Sequence, residues 1–127
     1  MTRPFALLAA AGLLAATLTA TTVAAKATSP AVDAAFGNTI VSTYPDGRVA
    51  QLWLKEDGSY SAEGRRHDPS SGHWSVKGAK LCLKQSRPMS VPFRFCTPIP
   101  DGGMEHAWSA KAVTGEDIRV QIVKGRG

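Results

Sequence analysis

The segment near the C terminus alternates apolar and polar side chains most clearly. Ile118, Val120 and Ile122 are separated by the polar residues Arg119 and Gln121. Because a β-strand directs every second side chain to the same face, this period of two predicts a strand with one apolar and one polar face.

A second pattern of the same kind lies in the middle of the chain. Trp74 and Val76 precede a turn at Lys77-Gly78, and Leu81 and Leu83 follow it. The spacing predicts a β-hairpin whose Trp, Val and Leu side chains share one face.

Turn-forming sequences separate further short apolar runs. Three short sequences are typical of tight turns, namely Pro45-Asp46-Gly47, Glu56-Asp57-Gly58 and Thr114-Gly115-Glu116. Gly readily adopts a positive φ, and the Asp side chain accepts hydrogen bonds from nearby backbone N–H groups. The predicted strands are 39–44, 48–54, 59–63, the two arms of the Trp74 hairpin, 91–97, 108–112 and 118–122. No helix is predicted between these runs or in the residues that lead into them.

About eight short strands joined by tight turns favour an antiparallel meander. Eight strands can close into a barrel whose interior is filled by side chains or holds one small ligand, and closure removes exposed edge strands. We therefore predict an all-β fold, a small closed or partly open β-barrel, with a two-sheet β-sandwich as the alternative. Trp53, Trp74, Trp108, Phe93 and Phe95 are expected to supply most of the core.

The N-terminal segment has the composition of a secretory signal peptide. Arg3 precedes an Ala- and Leu-rich run of about 14 residues, and Val23-Ala24-Ala25 supplies small residues before a cleavage point. The run is shorter than the roughly 20 residues that span a bilayer, which disfavours a membrane anchor. We expect residues 1–25 to be removed on export to the periplasm or the medium, so that the mature chain begins near Lys26 or Thr28.

The rest of the chain is then one domain with short flanks. Residues 26–37, rich in Ala, Thr, Ser and Pro, are expected to form a flexible lead-in, residues 38–124 a single β domain, and residues 125–127 a tail.

The cysteine count and the charge limit the possible functions. Two cysteines in an exported chain, Cys82 and Cys96, predict one structural disulfide, and their spacing is far from a CxxC motif. A formal net charge of +5 is mildly basic. There is no basic run suited to nucleic acid, whereas anionic lipid, an envelope polymer or an acidic partner remain candidates on charge alone.

Several short sequences of this chain occur together, in this order, in another group of proteins. They are Asn38-Thr39, Pro45-Asp46-Gly47, Asp57-Gly58-Ser59-Tyr60, Ser71-Gly72-His73-Trp74, Leu81-Cys82 and Phe95-Cys96. This succession, covering roughly residues 37–123, resembles short exported alphaproteobacterial proteins of unknown function. The Gly-x-Trp and Leu-Cys elements are also similar to hairpins of lipocalin- and avidin-type small barrels. The first resemblance implies no known activity, and the second implies a fold alone.

Three residues of the central loop region could support chemistry. His67, Asp68 and His73 lie within seven residues, but their spacing matches no zinc signature, and no Gly-x-Ser-x-Gly elbow accompanies the nearby serines. We therefore expect no metal and no cofactor. A small secreted hydrolase that uses His67 or His73 is the alternative to a non-catalytic protein.

Two sets of residues could bind a ligand or a partner. The basic set is Lys80, Lys84, Arg87 and Arg94, on or beside the cysteine face of the hairpin, and the aromatic set is Trp53, Trp74 and Trp108, which could line a barrel interior. The sequence therefore favours a non-catalytic, monomeric binding module. Its ligand would be a small apolar molecule, an envelope polymer or a partner protein, with inhibition of a secreted hydrolase as one version.

Overall fold

The computed structural model describes residues 29–102, 104 and 106–126. The predicted signal peptide, residues 1–25, lies outside this range. The chain forms one short helix and eight strands, which are α1 (Pro30–Ala35), β1 (Thr39–Thr43), β2 (Val49–Leu54), β3 (Ser59–Glu63), β4 (Pro69–Lys77), β5 (Lys80–Arg87), β6 (Phe95–Pro98), β7 (Trp108–Lys111) and β8 (Asp117–Val123).

All eight strands belong to one antiparallel sheet. Their order is β6-β5-β4-β3-β2-β1-β8-β7, so strands that are consecutive in the chain are paired, except β6 and β7, and β8 also pairs with β1. The sheet curls until its two edge strands, β6 and β7, approach each other. The result is a nearly closed barrel, which confirms the predicted all-β class and the barrel rather than the sandwich.

The hairpin turns form where the sequence places Asp and Gly. In the β1–β2 turn the side chain of Asp46 accepts a hydrogen bond from the backbone N–H of Arg48 at 2.9 Å, and Gly47 has φ +85°. Only glycine adopts this left-handed conformation without steric cost, which is why the chain reverses here.

The loop between β5 and β6 is longer than predicted. The strand expected at 91–97 begins only at Phe95, because Pro92 has no N–H for a sheet ladder and the N–H of Val91 bonds back to the carbonyl of Gln85. Residues 88–94 therefore form a loop at the end of β5.

The register decides which side chains fill the barrel. Leu54 and Tyr60 pair across β2 and β3 and are buried, as are Ile122 on β8 and Leu81 on β5. Since Leu52 and Leu54 point inward, Trp53 between them points outward, where it is half-buried.

The predicted aromatic core is therefore only partly correct. Trp74 is 1% exposed and lies in the core, and Trp108 and Phe95 are half-buried. Trp53 lies on the outer face, and Phe93 is 54% exposed because it belongs to the β5–β6 loop rather than to a strand. Aliphatic side chains supply the volume that these two aromatic residues do not.

Helix α1 covers one end of the barrel. Its Ala31, Val32 and Ala35 are fully buried in the core cluster, and it contacts β2. Ser29 caps its N terminus by accepting a hydrogen bond from the N–H of Val32 at 3.3 Å. The expectation of no helix is wrong for these residues, because packing over the barrel end stabilises a helix that is too short to form alone.

Trp74 lies beneath this helix at the same end. Its ring centroid is 5.8 Å from that of Phe36, which directly follows α1, and its Nε1 donates to the carbonyl of Lys55 at 2.7 Å. We call this end, made of α1, Phe36 and Trp74, the closed end.

The predicted disulfide is present. Cys82 on β5 lies directly opposite Cys96 on β6, with Cα atoms 4.0 Å apart, and the two are bonded. The bond holds β6, which pairs with β5 alone, against the rest of the sheet. Closing a loop of this length stabilises a fold by about 3 kcal/mol in the chain-entropy model.

Helices among residues 29–126 that the structure describes are too short and not apolar enough to cross a membrane.

We predict that Trp74→Ala lowers the free energy of unfolding by about 3–5 kcal/mol, because it removes a large buried ring and leaves a cavity at the closed end. Urea denaturation measures the change. Lys80→Ala, an exposed position on β5, is the control and should shift stability by less than about 0.5 kcal/mol. Equal losses for the two variants would contradict the inward orientation of Trp74.

Candidate functional site

The half of the barrel opposite the closed end contains a cavity of about 330 Å³. This volume lies within the range of small-ligand sites. Most of the lining is aliphatic or aromatic, namely Ile40, Leu52, Tyr60, Ala62, Leu81, Leu83, Phe95, Trp108, Ile118 and Val120. The site is therefore an apolar pocket within the sheet.

Four loops surround the mouth of the cavity, and we call this end of the barrel the open end. They are 44–48, 64–68, 88–94 and 112–116, and each contributes at least one lining residue. Phe93 and Val113, 54% and 65% exposed, line the cavity as well as facing solvent. They therefore mark the entrance, and an apolar molecule entering there meets apolar surface first.

The open half has space because its inward-facing side chains are small. Ser42 pairs with Ala50 between β1 and β2, and Ala62 pairs with Ser70 between β3 and β4. All four line the cavity. Toward the closed end the same strands carry Leu54 and Trp74, which are buried and fill the interior, and Ile40 and Tyr60, which are buried and form the inner boundary of the cavity. The gradient of side-chain size along the strands leaves space in the open half.

Polar side chains also line the cavity, among them Ser42, Gln51, Glu63, Ser70, Gln85 and Thr97. Gln85 lies at the edge of the cavity and donates from Nε2 to the carbonyl of Met89 at 3.1 Å. The indole Nε1 of Trp108 is buried and has no hydrogen-bond partner among the described residues. An unsatisfied buried donor costs about 1–3 kcal/mol, so an acceptor atom that reached it would gain binding energy.

On one side of the open end, a cluster of side-chain interactions around Arg65 connects three of the loops. Its guanidinium donates to both carboxylate oxygens of Glu116, at 2.7 and 3.1 Å, and lies 3.5 Å from a carboxylate oxygen of Asp46. The same group lies 4.3 Å from the centre of the Tyr44 ring. The cluster joins loops 44–48, 64–68 and 112–116, and leaves loop 88–94 outside it.

The electrostatics of this cluster follow from the paired hydrogen bonds. The hydrogen bond from Arg65, followed by that from Thr114, lowers the pKa of the Glu116 carboxyl, and the hydrogen bond to Glu116 raises the pKa of Arg65. Sequence reasoning did not find this pair, because the two residues are 51 positions apart and no motif links them.

The structure does not bring the two candidate histidines together. His67 is exposed, and its Nδ1 lies 2.6 Å from a carboxylate oxygen of Glu63. His73 is exposed on the outer face of β4, opposite Lys84. Strand β4 extends about 13 Å from Pro69 to His73, at about 3.3 Å per residue, and His67 lies in the loop before Pro69.

The metal hypothesis lacks a ligand cluster as well. Asp68 is exposed in the same loop as His67. Within the described ranges, no three His, Cys, Asp or Glu side chains are close enough to hold a metal ion.

The three tryptophans occupy three different environments. Trp108 lines the cavity, whereas Trp74 fills the closed end below it. Trp53 donates from Nε1 to the hydroxyl of Thr39 at 2.9 Å on the outside of the barrel, where the guanidinium of Arg126 lies 5.3 Å from its ring. Of the aromatic set, only Trp108 belongs to the cavity.

The four basic candidates lie along β5 and the start of β6. Lys80 is at the closed end and Arg87 at the open end. Arg94 immediately precedes Phe95, which pairs with Leu83, so Arg94 lies beside Lys84 next to the disulfide. Lys84 donates to the carbonyl of Val91. In the described part of the chain, none of the four lies within ion-pair distance of a carboxylate.

Comparisons with protein-family models, with curated proteins and with solved structures each give no match to this chain.

The Arg65–Glu116 pair makes stability depend on pH. A carboxyl whose pKa is lowered by folding stabilises the fold above its unfolded-state pKa of about 4.3, and this contribution is lost as pH falls through the lowered value. The free energy of unfolding of the wild type should therefore exceed that of Glu116→Gln at pH 7, and the difference between the two should become smaller below about pH 4. Urea denaturation from pH 3 to pH 7 measures it.

Glu56→Gln is the control for this experiment. Glu56 is exposed and forms none of the ion pairs found among the described residues. The free energy of unfolding of Glu56→Gln should differ little from that of wild type, and by the same amount at each pH from 3 to 7. If the difference for Glu116→Gln is equally independent of pH, the proposed role of the pair is contradicted.

Proposed function

We propose that the protein is a non-catalytic binding module that takes a small apolar ligand into the open half of its barrel. The observation that carries the proposal is the cavity of about 330 Å³, which has a mostly apolar lining and reaches the exposed side chains of Phe93 and Val113. Its volume lies at the lower end of the roughly 300–1,000 Å³ range of small-ligand sites, which limits the ligand to a small molecule or part of a larger one.

The shape of the interior supports a ligand site rather than loose packing. Protein interiors are normally close-packed, and the closed end follows that rule. In the open half, small residues at Ser42, Ala50, Ala62 and Ser70 face one another across neighbouring strands. A mostly apolar space enclosed by strands of one disulfide-linked sheet is what a preformed site needs.

Export is part of the same proposal. A disulfide between Cys82 and Cys96 suits an oxidising compartment, and the N-terminal sequence is that of a signal peptide. We place the protein in the periplasm or the medium, as a monomer. N-terminal sequencing of the exported protein should begin near Lys26 or Thr28, and a retained Met1 would contradict export with cleavage.

The hydrolase alternative has less support. It needs His67 or His73 beside a nucleophile or a carboxylate in a cleft. His67 contacts Glu63 at an exposed position, and His73 lies on the outer face of the sheet.

Binding of a solvent-sensitive apolar dye such as N-phenyl-1-naphthylamine tests the proposal. We expect saturable binding with one site per chain and a change in tryptophan fluorescence, because Trp108 lines the cavity. Ser42→Phe and Ala62→Phe place a ring inside the cavity and should each weaken binding at least tenfold.

Thr43→Phe is the matched control, since Thr43 is adjacent to Ser42 but exposed on the opposite face. It should bind the dye within about twofold of wild type. Circular dichroism verifies that each variant folds. Equal binding by the folded cavity variants and wild type, or an equal loss in Thr43→Phe, would overturn the cavity as the site.

A further inference from the structure

The net charge of the chain comes entirely from one part of the sheet. No Asp or Glu occurs between Pro69 and Pro100, a segment that covers β4, β5 and β6 and contains Lys77, Lys80, Lys84, Arg87 and Arg94. The whole chain has 15 Lys and Arg and 10 Asp and Glu, so removing these five leaves 10 of each sign elsewhere. The barrel is therefore electrostatically one-sided.

The basic residues of this face nearest the open end are not neutralised by neighbours. Lys84, Arg87 and Arg94 form no ion pair with any carboxylate among residues 29–102, 104 and 106–126. Carboxylates of the open end lie on the other loops, where Asp46 and Glu116 both pair with Arg65. Lys84, Arg87 and Arg94 thus place positive charge beside the loop 88–94 that no described carboxylate pairs with.

This loop also exposes the largest apolar side chains of the open end. Met89 is 67% and Phe93 54% exposed. Two side chains of β5 fix the backbone of the loop, since Gln85 donates a hydrogen bond to the carbonyl of Met89 and Lys84 donates one to the carbonyl of Val91. A Met and a Phe on an internally bonded loop lose contact with water at little conformational cost when they enter an apolar phase.

We propose that the protein docks on the surface of an anionic lipid bilayer through the loop 88–94, with Met89 and Phe93 entering the headgroup region. Exposed apolar side chains flanked by Lys and Arg are what interfacial binding to anionic lipid requires. The proposal goes beyond ligand binding in the cavity and does not depend on it.

One observation favours a bilayer over an acidic protein. Arg87 and Arg94 flank the exposed apolar side chains of Met89 and Phe93 on one short loop, and interfacial binding to anionic lipid uses both kinds of group. An acidic protein or polymer would pair with the two arginines without taking up the two apolar side chains.

Docking in this orientation would place the cavity entrance against the lipid. Val91 and Phe93 of the loop both line the cavity, so the membrane contact and the mouth share residues. An apolar ligand could then pass between bilayer and barrel without crossing water.

Co-sedimentation with vesicles tests the proposal, using phosphatidylglycerol–phosphatidylcholine mixtures and pure phosphatidylcholine without any cavity ligand. Wild type should bind the anionic vesicles and bind pure phosphatidylcholine at least tenfold more weakly. One basic residue near an anionic surface strengthens binding about fivefold, so Arg87→Gln/Arg94→Gln should weaken it about 25-fold. Met89→Ser/Phe93→Ser should weaken it at least fivefold.

Two controls match these variants. Lys55→Gln/Lys124→Gln gives the same net charge from exposed residues at the closed end, outside β4–β6, and Val49→Ser removes an exposed apolar side chain from another strand. Both should bind within about twofold of wild type.

Three results would overturn lipid docking. The first is no binding to anionic vesicles, and the second is an equal loss in the charge-matched control. The third combines two observations: Met89→Ser/Phe93→Ser binds anionic vesicles as well as wild type does, and wild type binds soluble polyglutamate as well as it binds the vesicles. That result would identify an acidic polymer or protein as the partner. Dye binding without lipid reports separately on the cavity, so failure of either proposal is recognised independently.

Discussion

The packing of α1 and Phe36 against Trp74 makes the two ends of the barrel different. Eight strands enclose an interior that side chains can just fill, and here they fill it only at one end. Trp74 is 1% exposed, and the buried alanines and valine of α1 lie over the same end. Because side chains fill this end, the space left by Ser42, Ala62 and Ser70 is a pocket in the open half rather than a channel through the barrel.

Two further constraints shape the open end. The disulfide fixes β6, an edge strand with one paired neighbour, and so fixes the start of the loop 88–94. Arg65 joins the three other loops through Asp46, Glu116 and the ring of Tyr44. The loop with the exposed Met89 and Phe93 stands apart from that cluster, and it is the loop to which we assign lipid contact.

Much of the sheet could be predicted from the sequence, because alternation at Ile118–Ile122 and around Trp74 reports which face is buried. The Cys82–Cys96 pairing followed from the presence of two cysteines in a chain that we expect to be exported. Trp53 was misplaced because Leu52-Trp53-Leu54 is a continuous apolar run with no alternation to show which residue points outward. Helix α1 was missed because its six residues are too few for a period, and tertiary packing decides its conformation.

The site was less predictable than the fold. A cavity depends on the summed volumes of residues from many strands, and Ser42, Ala62 and Ser70 become neighbours only when the register is known. The Arg65–Glu116 pair likewise joins distant parts of the chain. The basic face was visible in the sequence, since residues 69–100 contain no acid, although its relation to the cavity mouth required the structure.

Methyl NMR during titration with the apolar dye tests most directly the central proposal, that an apolar ligand binds in the open half of the barrel. Leu83, Ile118 and Val120 line the cavity, whereas Val32 and Ile122 are buried toward the closed end and do not. The account predicts large shift changes for the first three methyl groups and small ones for the other two. Equal changes at both ends, or changes confined to outward-facing residues such as Val49, would contradict it.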